Sequence, residues 1–464
     1  MIYPIIFETI KGNRYIYDNN TGCVIPANNY VDKLDDNNIL YDENVLEKIK
    51  EDYPSLPLFE VTSLEEEQNK IIENSKEYLN ENGIKEISLI VTEQCNFRCK
   101  YCIYSEEYSY SRNHSKKMMD WATAKKAIDY YFQFNKRSLP YNPTLTPCVG
   151  FYGGEALLNW ELVKKVTDYV ETMYRNDFNT VLYTITTNGS LLDKEKIEFM
   201  INHNFFINIS LDGNKKNHDR NRVFESGNPT YETVVKKIEL LDKLCKDYKG
   251  TKNPIFNFLM TYDNECDMEE IHKSACENEE FYEHFLKISK VSDIDTTYYN
   301  NQKSGIHVQT QIKKLIEDFV KQKEKRSKIS ELLFKQDVVL PAFNKQMTLN
   351  PLYGTCIPGN KIAVTVDGGF YMCEKIDYRA PIGNVEEGID YKRQSEYLEE
   401  FIQARKDKCQ KCNISSLCYQ CFATCGGNTE KFSVNEKACR ALRKTISEKF
   451  ALYYSAREIG IDIL

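Results

Sequence analysis

No run of this chain approaches the ~20 consecutive apolar residues that a membrane span needs. Its start, Met1-Ile2-Tyr3-Pro4-Ile5-Ile6-Phe7-Glu8, lacks the basic stretch that opens a secretory signal. A cytoplasmic protein without membrane association is expected. Excess positive charge is missing too. The formal net charge of −8 argues against general nucleic-acid binding, whose electrostatic footprint is basic. Against these absences stands an abundance of cysteine, sixteen in 464 residues. A disulfide-stapled secreted scaffold would be short and would carry a signal, and a chain this long buries a large core without staples. In a reducing compartment, metal or cluster binding is the expected use of so many thiols. The rest of the composition, 41% hydrophobic and 28% charged, is that of a globular protein with room for about three domains.

One cysteine group is itself defined by a lack. Cys95, Cys99 and Cys102 stand at CxxxCxxC spacing just after the apolar run 87–91. Three thiolates on a short loop hold three corners of a cubane iron–sulfur cluster. An electron-transfer cluster usually has four cysteine ligands, so the iron left open points to catalysis. Zinc is the competing occupant, although structural zinc prefers paired CxxC ligands in a closed tetrahedron.

Three stretches follow different patterns. Residues 1–80 begin with hairpin signals around Lys11-Gly12-Asn13 and Asp18-Asn19-Asn20-Thr21-Gly22. Val45, Leu46 and Ile49 then lie at helical spacing, which predicts a small β-meander with short helices. Residues 85–335 alternate strand and helix patterns, with strands expected at 87–91, 148–152, 181–186, 205–211 and 255–260. Helices are expected around Ala124–Phe132, Leu162–Val170 and 193–201, and one long charged helix over 313–336. Alternating βα units predict an α/β fold with a parallel sheet or partial barrel, with function at the C-terminal strand ends. Residues 345–464 carry eight of the sixteen cysteines, at 356, 373, 409, 412, 418, 421, 425 and 439, and end in an apolar helix from 441.

Each expected strand of the middle stretch ends in small or polar residues. Gly153-Gly154-Glu155 offers close backbone approach and a carboxylate suited to an ammonium group. Thr186-Thr187-Asn188-Gly189-Ser190 and Ser210-Leu211-Asp212-Gly213 offer groups suited to ribose hydroxyls. Arg222 offers a planar fork for a ligand carboxylate. Any one of these is ordinary turn chemistry.

Together and in this order, the cysteine triplet with Tyr101 before its last cysteine, the Gly-Gly-Glu loop and the Ser-x-Asp-Gly strand end resemble the radical S-adenosylmethionine (SAM) superfamily. The resemblance covers about 230 residues. It implies a partial (β/α)6 TIM-type barrel. It also implies a [4Fe-4S] cluster on Cys95, Cys99 and Cys102 whose open iron is chelated by SAM. Gly153, Gly154, Glu155, Asn188, Ser210, Asp212 and Arg222 are then the expected SAM contacts. An electron from a donor such as flavodoxin or ferredoxin cleaves SAM, and the 5′-deoxyadenosyl radical abstracts a substrate hydrogen; the cofactor carries the hard chemistry. Ala156 departs from the proline often found in the family.

The C-terminal cysteines resemble the SPASM extension, which carries auxiliary iron–sulfur clusters. The family pattern assigns Cys409, Cys412, Cys418 and Cys439 to one [4Fe-4S] cluster. Cys356, Cys373, Cys421 and Cys425 remain for a second, which either is closed or keeps an open iron. The usual pattern has a cysteine where Phe422 stands, and Cys421 and Cys425 flank it. A zinc ribbon is the alternative for this stretch. Cys23, Cys148, Cys245, Cys266 and Cys276 read as scattered, unreactive thiols.

SPASM extensions accompany enzymes that act on peptides. The N-terminal stretch resembles the winged-helix-like leader-binding module of ribosomal-peptide maturases, which captures a leader as an added strand. Its Tyr15-Ile16-Tyr17-Asp18-Asn19-Asn20-Thr21-Gly22 is similar to the start of thioether-forming maturases. The resemblance implies an enzyme that links cysteine sulfur to carbon in a precursor peptide of sactipeptide or ranthipeptide type, passing the surplus electron to an auxiliary cluster. An anaerobic sulfatase-maturating enzyme shares the barrel and SPASM parts. A non-catalytic iron–sulfur electron carrier leaves the Gly-Gly-Glu and Ser-x-Asp-Gly loops without a purpose. No acid or base stands out.

Overall fold

The computed structural model describes the chain apart from residues 1, 32–37, 62, 64, 109–112, 251–253, 295, 322–325, 340–356, 375–380, 419, 427–430 and 462–464. The described chain forms two compact units. One comprises residues 74–309 and 357–397; the other comprises 1–73, 310–356 and 398–464.

The first unit is built on a ten-stranded sheet. Its centre is six parallel strands in chain order: β4 (Glu86–Thr92), β5 (Cys148–Gly153), β6 (Leu182–Thr187), β7 (Phe205–Ser210), β8 (Ile255–Tyr262) and β9 (Phe285–Lys290). Helices fill the crossovers, Trp121–Ser138 between β4 and β5 and Trp160–Met173 between β5 and β6 among them. Parallel neighbours require such crossovers, and the six strands with their five crossovers make the α/β partial barrel. β6 and β7 bury alternate residues, whereas β4 is buried at every position after Glu86. That follows from its central place in the sheet. On its other side β4 pairs in parallel with β10 (Lys361–Val364), and β11 (Gly369–Tyr371), β12 (Pro381–Asn384) and β13 (Gly388–Ile389) continue antiparallel. The buried Asn135 fixes the entry to β4: its side chain accepts from the Ile84 amide at 2.7 Å and donates to the Ile84 carbonyl at 2.9 Å.

The second unit holds an antiparallel meander, β1 (Ile5–Glu8), β2 (Arg14–Tyr17) and β3 (Val24–Pro26). Gly12, at φ +83°, makes the first turn. Ile6, Ile16 and Ile25 face Leu46 and Ile49 of the helix Glu43–Asp52 in one core, as the helical spacing predicts. The C-terminal helix Glu436–Glu458 packs on the meander, with Phe450 5.3 Å from the Phe7 ring and 4.8 Å from the Tyr17 ring. Glu458 closes the contact by accepting from Thr9, Asn13 and Tyr15. Asn19 bonds both Ser415 and Ser416, so the meander is also fastened to the loop between Cys412 and Cys418.

The long helix expected over 313–336 takes a different form. Helix Ile306–Lys321 is followed by a separate helix, Lys328–Phe334, which starts at a Ser327–Ser330 capping box. Two orphan amides are satisfied there, which favours a fresh start over a continuous helix. Among the described residues no helix is long and apolar enough to cross a membrane.

Candidate metal centres

The cysteine triplet lies on the loop that leaves the C-terminal end of β4. This loop is held against the segment after β7: Arg98 and Lys100 donate backbone bonds to the carbonyls of Val223 and Asn221, and the Phe97 ring meets Phe224 edge-on at 5.1 Å. Each thiol has an N–H donor nearby. The Phe97 amide points at Cys95 Sγ and the Tyr104 amide at Cys102 Sγ, both at 3.4 Å, and Arg222 Nη1 lies 3.8 Å from Cys99 Sγ. Burial, reinforced by Glu155, pushes the Cys95 thiol up to about 12. Burial and the charge of Cys99 do the same to Cys102. Iron must displace these protons, as metal binding by thiols generally does. Among the described residues no group of three or more His, Cys, Asp or Glu converges on a single ion position. A cubane does not ask for that convergence, because each thiolate binds its own iron. Three soft sulfurs with N–H groups directed at them suit a [4Fe-4S] cluster.

The paired glycines answer to the backbone of this same loop. A Cβ on Gly153, at φ +137°, would stand 2.2 Å from the Thr92 carbonyl oxygen, and one on Gly154 would stand 2.3 Å from that of Gln94. The amides of Gly154 and Glu155 donate to those two oxygens at 2.9 and 2.8 Å. Close approach here is therefore between strand ends, and it clamps the start of the cysteine loop. Glu155 is fully buried. Oε1 accepts from the Leu157 amide and Thr187 Oγ1, and Oε2 accepts from the Asn188 amide at 2.7 Å. Burial raises its pKa against the pull of these donors. The carboxylate expected to meet an ammonium group thus also bridges the ends of β5 and β6. Asn188 donates to Asn96 Oδ1 at 2.8 Å and faces Cys95 Sγ at 4.0 Å. Ser210 closes β7, half-buried.

Asp212 and Arg222 form a buried pair: Arg222 Nε donates to Asp212 Oδ2 at 3.0 Å. Tyr101 donates to the same oxygen and the Thr261 amide to Oδ1. His218 supports both partners. Thr230 Oγ1 donates to the Arg222 carbonyl, so it must accept from His218 Nε2, and His218 Nδ1 then accepts from the Asp212 amide. This assigns the neutral Nε2–H tautomer, consistent with burial and Arg222 depressing its pKa.

A second network, which no motif marks, adjoins this pair. Asp263, directly after β8, accepts from both terminal nitrogens of Arg220 at 2.6 Å, and from Tyr298 and Asn221. Burial opposes its charge, yet these donors bring its pKa from 3.8 to about 2. The signal in the sequence is its place directly after the strand pattern at 255–260, where function is expected. Arg220, Tyr298 and Gln302 line a cleft of about 620 Å³ that reaches Arg98, Cys99 and Tyr104.

In the other unit, Cys409, Cys412, Cys418 and Cys439 line one cavity of about 280 Å³ with Arg405 and Arg443. Their side chains suit a second cluster: Gln420 Nε2 donates to Cys439 Sγ at 3.0 Å and Arg405 Nη2 to Cys418 Sγ at 3.4 Å. Cys421 precedes the short helix Phe422–Gly426 and Cys425 lies within it, both outside that lining, with Cys425 Sγ donating to Gln420 Oε1. Cys373 is half-buried, and Cys356 lies outside the described residues.

Three thiols thus share the loop that leaves β4, at the C-terminal ends of the parallel strands. Residues 89–275 match the model of the Radical SAM superfamily. The radical SAM cyclopropyl synthase TigE of Paramaledivibacter caminithermalis is 26% identical over 48% of this chain and 48% of its own. The serine-type anaerobic sulfatase-maturating enzyme of Bacteroides thetaiotaomicron is 31% identical over 32% of this chain and 34% of its own. The chain thus spans about half or less of these curated relatives. Among solved structures, anSMEcpe with bound AdoMet aligns with a TM-score of 0.58 at 20% identity, covering 80% of this chain and 95% of that one. The α/β radical SAM fold is shared.

Proposed function

We propose that this protein is a radical SAM peptide maturase that joins a cysteine sulfur to a carbon of a precursor peptide. Cys95, Cys99 and Cys102 would hold the [4Fe-4S] cluster whose open iron takes SAM; together these groups supply a hydrogen-abstracting 5′-deoxyadenosyl radical. On the peptide, a C–H and an S–H give way to a C–S bond. One hydrogen atom would leave to the radical and the other as a proton and an electron, for which an auxiliary cluster would supply the acceptor. Cys409, Cys412, Cys418 and Cys439 would hold one such cluster, and Cys356, Cys373, Cys421 and Cys425 the other.

The observation that carries the peptide reading is the outer edge of β3. The Asp18 amide bonds the Cys23 carbonyl and the Ala27 amide bonds the Arg14 carbonyl. Antiparallel alternation then turns the N–H and C=O of Val24 away from β2. Among the described residues β2 is the one strand neighbour of β3, so this edge suits an added strand. Val24→Pro removes its outward N–H, and Pro26 has none to give. The variant is expected to lose peptide binding and keep SAM cleavage.

Sulfatase maturation is the second reading, favoured by the match to the Bacteroides enzyme. Mass spectrometry of a co-expressed cysteine-containing peptide separates the two. A thioether removes two hydrogens, keeps the sulfur and blocks thiol alkylation. Formylglycine leaves an aldehyde that a hydrazide captures. An aldehyde product would overturn the thioether reading.

A further inference from the structure

We propose that Arg405 raises the reduction potential of the cluster held by Cys409, Cys412, Cys418 and Cys439. The proposal rests on the reading of these cysteines as cluster ligands. Arg405 lies on the helix Tyr391–Cys409, one turn before Cys409 and on the same face. It is only 1% exposed. Three contacts fix its guanidinium. Nη1 donates to the Gln420 carbonyl at 2.7 Å and Nη2 to Cys418 Sγ at 3.4 Å, and its plane sits 5.0 Å over the Phe401 ring. Phe401 is in turn held by Phe422, ring to ring at 4.4 Å.

A four-thiolate cluster becomes more anionic when it gains an electron. A fixed cation beside the sulfurs stabilises that reduced form more than the oxidised one, and hydrogen bonds to sulfur act in the same direction. Other groups contribute less: Lys408 lines the same cavity but is exposed and paired with Glu436. Arg443 reaches Cys412 Sγ only at 3.7 Å from an exposed position, where solvent weakens its field. Gln420 donates to Cys439 Sγ at 3.0 Å but carries no charge. Among the described residues of this cavity, Arg405 alone combines full charge, burial and a direct N–H to sulfur. A cluster tuned upward in this way suits an acceptor of the electron released when the C–S bond forms.

The test is an EPR-monitored redox titration of the full-length protein carrying Cys95, Cys99 and Cys102→Ala, so that auxiliary clusters alone give signal. The component that Cys439→Ala removes identifies the cluster in question. Arg405→Gln is expected to move that component to a more negative potential and leave any other in place, while Arg405→Lys, which keeps the charge, stays at the parent value. An unshifted Arg405→Gln component at full iron content overturns the proposal. If Arg405→Gln takes up no iron, the uncharged Arg405→Met takes its place: a more negative potential supports the proposal and an unshifted one overturns it. A parent protein with no Cys439-dependent component overturns the ligand reading itself, a result distinct from an unshifted potential.

Discussion

Arg222 stands between the Asp212 carboxylate, 3.0 Å from its Nε, and the Cys99 sulfur, 3.8 Å from its Nη1. One cation therefore ties the strand end after β7 to the middle cysteine of the triplet. Burial works against its charge, but Asp212, Tyr101 and Cys99 hold it protonated well above its ordinary value. Breaking a buried ion pair by neutralising one partner costs about 3–5 kcal/mol. Asp212→Asn is expected to lower stability by that order in chemical denaturation. It should also reduce the iron bound by Cys95, Cys99 and Cys102. An Asp212→Asn protein with unchanged stability and iron content would contradict the role given to this pair.

Gly154 makes a second prediction, because its replacement puts an atom where the chain itself already lies. An alanine Cβ would meet the Gln94 carbonyl oxygen at 2.3 Å, and backbone cannot give way as a flexible side chain can. Gly154→Ala should cost roughly 1–3 kcal/mol, the usual scale for local backbone strain, and should displace the start of the cysteine loop. Thermal unfolding and the iron-to-protein ratio of the reconstituted variant read the two effects separately. A fully loaded protein of wild-type stability would show that the loop tolerates the shift.

Asp263 gives a prediction with a defined pH window. Its pKa falls from 3.8 to about 2 on folding, so the folded state binds fewer protons there than the unfolded chain. Stability from this group is fully present above the unfolded value and is lost as pH falls through the folded one. The shift corresponds to about 2 kcal/mol at neutral pH. Asp263→Asn should be less stable than wild type by that order at pH 7. The difference should shrink below pH ~4 and vanish only below pH ~2. Denaturant titrations of both proteins across this range check the slope.

Much of the barrel was legible because its signals are local. The expected strands at 87–91, 148–152, 205–211 and 255–260 lie on β4, β5, β7 and β8 to within two residues at either end, since buried parallel strands are short apolar runs with polar ends. β9 escaped notice because Phe285-Leu286-Lys287-Ile288-Ser289-Lys290 buries only Phe285 and Ile288 deeply; its lysines mask the pattern. β10 to β13 leave no such local mark, because they are only two to four residues long and pairing with β4 is a long-range event that no local period records. The candidate site divided in the same way. Spacing alone marked Cys95, Cys99 and Cys102 as a group. That Gly153 and Gly154 clamp the loop carrying them, or that Arg222 pairs with Asp212, depends on which strand ends meet. The Arg405 side chain was invisible to motif reading because a lone arginine on a charged helix looks solvated, and only its packing on Phe401 and Cys418 distinguishes it.

The proposed function puts SAM cleavage at the β4 loop. The most direct measurement is 5′-deoxyadenosine released on anaerobic incubation of the reconstituted protein with SAM and dithionite. Wild type is expected to release it, and the protein with Cys95, Cys99 and Cys102→Ala is expected to release none while retaining iron at the C-terminal cysteines. Release that persists in the triple variant, or a fully loaded wild type that releases none even with cysteine-containing peptides, would contradict the account.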